Sequence, residues 1–264
     1  MEPAEGARSF QTSGNAYDLF MGRYSGPLAG AFADAAGVAV GQVALDVGCG
    51  PGALTGELVE RLGPGAVFAC DPSPPFVAEC IARHRGVDVR QARAEELPYE
   101  DGRFDGVFAQ LVLHFVTDAT QAAREMGRVA RPGGLVAACV WDFADEMEML
   151  RHFWDAALAA DPDAPDEARA LRFGGAGEIA ALFAEAGFTA VRETPLHVTT
   201  TYSGFDELWS GFLGGIGPAG AYCVGLASDQ QELVRQGLFA RVGSPNGGFS
   251  LGATARYVSG RTPT

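Results

Sequence analysis

Val43-Ala-Leu-Asp-Val-Gly-Cys-Gly-Pro-Gly-Ala-Leu-Thr-Gly-Glu57 decides how this chain is read. Val43 to Val47 is a nearly continuous apolar run with β-branched residues at its ends, the pattern of a strand buried on both faces of a parallel sheet. Gly48, Gly50 and Gly52 follow at alternate positions, and Ala53 to Leu62 then sets Leu54, Leu58, Val59 and Leu62 on one helical face. The glycines therefore occupy a turn between a strand and a helix. Such a turn reverses the chain sharply and lets a ligand approach bare backbone whose N–H groups point out of a helix N-terminus, so it predicts recognition of a nucleotide-like molecule.

Details of the same stretch narrow the ligand. A dinucleotide fingerprint, Gly-x-Gly-x-x-Gly, needs its third glycine inside the helix and a pyrophosphate over the helix N-terminus. Here the third glycine comes one place early, at Gly52, and Asp46 stands on the strand two places before the first. A carboxylate there repels a pyrophosphate and suits a cationic ligand. Asp46-x-Gly48-x-Gly50-x-Gly52 resembles the cofactor loop of the class I S-adenosylmethionine-dependent methyltransferases, in particular small-molecule enzymes of the quinone-biosynthesis type. The resemblance implies an α/β, Rossmann-like fold: a seven-stranded, mostly parallel sheet with an antiparallel last strand and helices on both faces. It also implies S-adenosylmethionine as cofactor, S-adenosylhomocysteine as product, and transfer of a methyl group to an O-, N- or C-nucleophile of a small molecule.

Composition sets outer bounds. The chain has 264 residues, 47% of them hydrophobic, enough for one sizeable domain with an added cap. Its formal charge is −14, from 33 acidic and 19 basic residues, and all of the basic ones are arginine. That field disfavours nucleic acid and anionic membranes as partners, and Arg83, His84, Arg85, Arg90 and Arg93 read as a solvated rim. Having no lysine excludes Schiff-base and pyridoxal phosphate chemistry and the Walker loop. Cys49, Cys70, Cys80, Cys139 and Cys223 are scattered, so neither a disulfide framework nor a metal site is indicated. With no apolar run of membrane-spanning length and no secretory leader, a cytoplasmic protein is expected.

Residues 1–14 are expected to be poorly ordered, and residues 15–264 to form a single methyltransferase domain. Asn15 to Phe32 carries aromatic clusters and Arg23 ahead of a helix expected near Pro27. Phe20, Met21 and Tyr24 either seat this segment on the sheet or belong to a lid over residues 15–36. The start Tyr17-Asp-Leu-Phe-Met resembles the lid of small-molecule methyltransferases, which implies that Tyr17 covers the cofactor and Arg23 meets its carboxylate. A second strand, Ala66 to Cys70, ends in Asp71-Pro72-Ser73. Asp71 is placed to hold a ribose diol, unless it merely caps the helix Pro74 to Arg83. The resemblance further sets Ala94 and Glu95 beside the adenine, after a third strand Val87 to Gln91.

The fourth strand, Phe104 to Ala109, exits into Gln110-Leu-Val-Leu-His114, at the sheet edge where open α/β folds bind ligands. Gln110 and Leu111 are expected to line the cofactor and His114 to face the substrate, as general base or as a structural histidine. Asp142 and His197 are further candidate bases, Tyr24 a weaker one. A helix Asp118 to Ala130 and the turn Arg131-Pro-Gly-Gly lead to a fifth strand, Leu135 to Trp141. Phe188 to Thr194 and Phe249 to Val258 read as the sixth and seventh, the seventh antiparallel between its neighbours. Residues 202–242 are too long for a hairpin loop and read as a substrate cap, with Trp209 and Phe212 on one helical face as substrate contacts or as core. Two other classes share parts of this pattern: a nicotinamide oxidoreductase, which this chain fits poorly for want of a late third glycine and a hydride-site lysine, and a non-catalytic Rossmann-like binding protein.

Overall fold

The computed structural model describes residues 18–169 and 171–264, so Tyr17 and the expectation for residues 1–14 lie outside the described residues. Its strands are β1 (Ala44–Val47), β2 (Val67–Asp71), β3 (Asp88–Gln91), β4 (Phe104–Gln110), β5 (Ala130–Trp141), β6 (Thr189–Tyr202) and β7 (Phe249–Arg261). They form one sheet in the order β3-β2-β1-β4-β5-β7-β6. The pairs from β3 through β5 are parallel, and β7 runs antiparallel to both β5 and β6. Every residue of β1 is buried, as its unbroken apolar run requires of a central parallel strand.

Helices α1 (Arg23–Ala35), α2 (Ala53–Leu62), α3 (Pro74–Arg83), α4 (Ala119–Val129), α5 (Glu148–Ala160) and α6 (Glu178–Glu185) flank the sheet. The helix α1 packs on α2 and on β6 and β7, while α4 packs on α6 and on β4 and β5. Phe32 of α1 meets Phe108 of β4 at 5.8 Å and Tyr257 of β7 at 5.1 Å, both edge to face, which closes the core between helix and sheet.

Three boundaries differ from the sequence reading. The helix α1 begins at Arg23, with Pro27 inside it, and continues a π-helical turn over Asp18–Gly22. Pro27 therefore stands in the helix interior, where it withholds the N–H that would bond the carbonyl one turn earlier, and the helix runs on past that open bond. The strand β6 extends eight residues beyond the expected Thr194, because Pro195 lies on an edge strand, where a missing N–H costs nothing to the ladder. The Arg131-Pro-Gly-Gly turn lies inside β5 as an irregularity: the register with β4 passes from Phe104–Ala130 to Gly106–Leu135, with Gly133 at φ +71°.

Between β6 and β7 stand α7 (Phe205–Leu213), α8 (Gly217–Gly225) and α9 (Ser228–Arg241). Phe205, Leu208, Trp209 and Phe212 form the buried stripe of α7. Phe212 is fully buried, stacked on Phe153 of α5 at 4.2 Å and edge-on to Phe20 at 5.1 Å. Trp209 lies beside it at 6.4 Å and is 7% exposed. Of the two readings open for these rings, substrate contact is corrected in favour of core: Phe212 holds the cap onto α5 and the N-terminal turn, and Trp209 packs beside it in the buried stripe of α7. Phe212→Ala should cost about 3–5 kcal/mol in chemical denaturation, as a stacked core ring does. A loss below about 1 kcal/mol would contradict this assignment.

Candidate functional site

The C-terminal ends of β1, β2 and β4 open onto a cleft of about 220 Å³ lined by Asp46, Gly48, Gly50, Asp71, Pro72, Ala94, Glu95, Gln110 and Leu111 among others. Every one of these residues was expected from the sequence to meet a cofactor. The N–H groups of Gly48 and Cys49 both donate to the carbonyl of Cys70, at 2.7 and 2.9 Å, which pins the loop to β2. Gly48 holds φ +70°, and a Cβ there would lie 2.5 Å from Cγ2 of Val112. Glycine is therefore required at this position by backbone angle and by the neighbouring wall. Gly52, at φ +99°, precedes α2, whose N-terminus has no side-chain cap and borders the cleft through Pro51, Ala53 and Leu54.

Asp71 organises the loop. Its Oδ2 accepts from the Gly50 N–H at 2.9 Å and its Oδ1 from the Ser73 N–H at 2.8 Å. Burial pushes the carboxyl above its usual range, against the pull of those two amides. Ser73, at the N-cap of α3, makes no side-chain cap bond, so Asp71 both shapes the helix entry and faces the cleft. Asp46 is 1% exposed, and its Oδ2 accepts from the Thr55 hydroxyl at 2.6 Å. Desolvation raises its carboxyl to about 7, the Thr55 bond opposing and Asp71 adding to the rise. Gln110 donates from Nε2 to the Ser25 carbonyl at 3.0 Å, while its Oε1 is buried without a partner. Glu95 is half-buried, which disfavours its charge, but bonds from its own amide, Arg93 and the amides of Thr117 and Asp118 outweigh that and hold its carboxyl low.

A smaller cavity of about 50 Å³ shares Leu111 and Phe115 with the cleft and is walled by Phe20, Met21, His114, Trp141, Phe143, Leu150, Glu167 and Gly217-Pro218-Ala219. His114 lies here, packed on Phe115 at 3.8 Å and Phe143 at 5.3 Å, with Nδ1 buried and unpartnered. Burial lowers its pKa to about 3, so it stays neutral and is a weak base at neutral pH.

Other sequence candidates are engaged elsewhere. Arg23 bonds Glu207 of α7 at 2.5 Å and lies 4.3 Å from the Tyr202 ring centroid; it lines neither cavity, because the first turn of α1 points it at the cap. Asp142 pairs with Arg256 at 2.6 Å and accepts from the Asp145 N–H at 3.1 Å, tying β5 to β7. His197 bonds the Thr254 hydroxyl at 2.7 Å across β6 and β7, and the Tyr24 hydroxyl meets that of Tyr202 at 3.1 Å. Sequence reasoning missed Ser25, Phe76, Val112, Phe115 and Glu167; Val112 and Phe115 stand in the expected β4 exit, but nothing marked Glu167 among the acidic residues. Among the described residues no cluster of His, Cys, Asp or Glu could hold a metal ion, and no helix is long and apolar enough to cross a membrane.

Residues 45–138, from β1 into β5, match the family described as "Methyltransferase domain". A demethylmenaquinone methyltransferase of Roseiflexus castenholzii is 35% identical over 166 residues, covering 56% of this chain and 68% of that protein. The chain belongs to the class I S-adenosylmethionine-dependent methyltransferases. Its cofactor is S-adenosylmethionine, and the cleft offers a cationic molecule the Asp46 carboxylate and the unpaired Gln110 oxygen. A probable phthiotriol/phenolphthiotriol dimycocerosates methyltransferase of Mycobacterium ulcerans is 37% identical over 122 residues, 46% of either chain, so this chain spans about half the length of that relative. In fold it is similar to a putative methyltransferase from an antibiotic biosynthesis pathway of Anabaena variabilis, with TM-score 0.62 and 18% identity, covering 88% of this chain and 96% of that one.

The raised Asp46 carboxyl has a consequence for stability. Its folded pKa of about 7 stands above the ordinary 3.8, so its contribution is full below 3.8 and is lost as pH rises through about 7. Asp46→Asn removes that dependence. The variant should gain on the order of 2 kcal/mol more relative to wild type at pH 8 than at pH 5 in denaturant unfolding, while binding S-adenosylmethionine more weakly. An equal effect at both pH values would show that Asp46 is not held in this way.

Proposed function

We propose that the protein transfers a methyl group from S-adenosylmethionine to a small-molecule acceptor, in the cytoplasm and without a nucleic-acid partner. The observation that carries this reading is Asp46, a buried carboxylate on the wall of the glycine-loop cleft. A nicotinamide dinucleotide would set its pyrophosphate against that charge, whereas a sulfonium amino acid is attracted by it. The cofactor supplies an electrophilic methyl group on a positive sulfur. The protein's share is to hold the two reactants in line and exclude water.

In this reading Gly48 and Gly50 admit the ligand to bare backbone, Asp71 and Pro72 border the ribose, and Ala94 and Glu95 border the adenine. Gln110 takes a donor on its free oxygen, and Leu111 marks the border with the acceptor side. Residues 15–36 act as lid and residues 202–242 as cap, joined by the Arg23–Glu207 pair. Calorimetry should give clear binding of S-adenosylmethionine and none of NADH. Asp71→Ala should weaken cofactor binding by about 1–3 kcal/mol, the worth of a charge-assisted hydrogen bond. Tighter binding of NADH would overturn the proposal.

A further inference from the structure

The wall that separates the two cavities is strained. Leu111 holds φ +63°, a left-handed conformation that a branched side chain rarely takes, and its N–H is fixed to the Cys139 carbonyl at 2.9 Å. The smaller cavity beyond it is apolar except for three groups. Glu167 is 6% exposed and forms no ion pair among the described residues; its Oε1 accepts from the Trp154 indole N–H at 2.9 Å. The indole N–H of Trp141 and Nδ1 of His114 are buried with no partner.

These groups define what fits between them. A buried indole N–H asks for an acceptor atom, and a buried carboxylate without a cation asks for a proton. An ammonium has only donors and would leave Trp141 unanswered, and an anionic acceptor would face Glu167. A hydroxyl on an apolar ring answers both, since it accepts from Trp141 and donates to Glu167. We infer that the smaller cavity seats the methyl acceptor, that the acceptor is an apolar phenol, and that Glu167 is the catalytic residue that takes its proton.

This rests on the methyl-transfer reading above. In the step, the phenolic O–H proton passes to the Glu167 carboxylate. The freed oxygen pair forms the O–C bond to the methyl carbon as the C–S bond breaks, and that bond's electron pair stays on sulfur, giving a neutral thioether. Glu167 later returns the proton to water. Its surroundings suit a proton acceptor, since burial raises its carboxyl to about 7, with Asp166 adding to the rise and Trp154 and Arg151 opposing it. His114, neutral down to about pH 3, neither competes for the proton nor repels the ring. A ring needs more room than about 50 Å³, so entry moves a wall; Phe20 and Met21 come from a π-helical turn, and Gly215 and Gly217 at the entry of α8 both hold positive φ.

The test uses 2-naphthol as probe, with 2-naphthylmethylamine, an ammonium at neutral pH, and 2-naphthoate as controls. Calorimetry on the cofactor-free protein should show naphthol binding at least tenfold tighter than either control, and Trp141→Phe should cut that preference about tenfold. With S-adenosylmethionine present, Glu167→Gln should lower kcat for naphthol at least a hundredfold and abolish the acidic limb of the kcat–pH profile. Its affinity for S-adenosylhomocysteine should stay within threefold of wild type, and its Tm at pH 8 should not fall. Preferred binding of the amine or carboxylate, or a Glu167→Gln enzyme with wild-type kcat and pH profile, would overturn the inference while leaving methyl transfer in place. Failure of the wild-type protein to bind S-adenosylhomocysteine would instead remove the reading on which it rests.

Discussion

One carboxylate holds the amides of Gly50 and Ser73 together, and the shape of the ligand edge follows from it. Asp71 ends β2, so its two oxygens reach the glycine loop after β1 on one side and the entry of α3 on the other. The Cys70 carbonyl, one residue earlier, takes the N–H groups of Gly48 and Cys49. Two consecutive residues of one strand thereby fix the loop of the neighbouring strand. The loop in turn must carry no Cβ at Gly48, where Val112 of the β4 exit closes in. Cleft geometry is thus set by the Asp71 carboxylate, the Cys70 carbonyl and the Val112 side chain, all internal to the fold.

Placing carboxylates here works against stability. Asp46, Asp71 and Glu167 are all buried, and burial raises each above its ordinary range. None forms an ion pair among the described residues, in contrast to Asp142 and Asp166, which arginines neutralise. A fold optimised for stability alone would have apolar or amide side chains at such positions. The unneutralised three line the cleft and the adjoining cavity, where a cationic ligand or a transferable proton can satisfy them.

What the sequence made legible is what backbone chemistry dictates. The glycine spacing, the apolar runs of β1, β2 and β4 and the Pro74 helix start pointed to most of the residues that the fold gathers around the larger cleft. Side-chain partnerships across long separations were not legible. Arg23 and Glu207 are 184 positions apart, and Asp142 and Arg256 are 114 apart, so nothing local told either arginine or aspartate from a ligand group. Trp209 and Phe212 showed helical spacing, which core and pocket residues share. Glu167 lies in a stretch without periodicity or motif, and only the packing of Trp154, Trp141 and His114 around it gives it meaning.

The central claim is that the edge formed by the glycine loop, Asp71 and the β4 exit binds S-adenosylmethionine. Hydrogen exchange with and without S-adenosylhomocysteine tests it most directly, because the loop amides themselves report. Slowed exchange confined to residues 46–54, 71–76, 94–95 and 110–112 is the expected result. Protection instead at the groove between Gly102, Arg128, Pro132 and Phe188, on a different part of the surface, with the glycine loop unchanged, would contradict it.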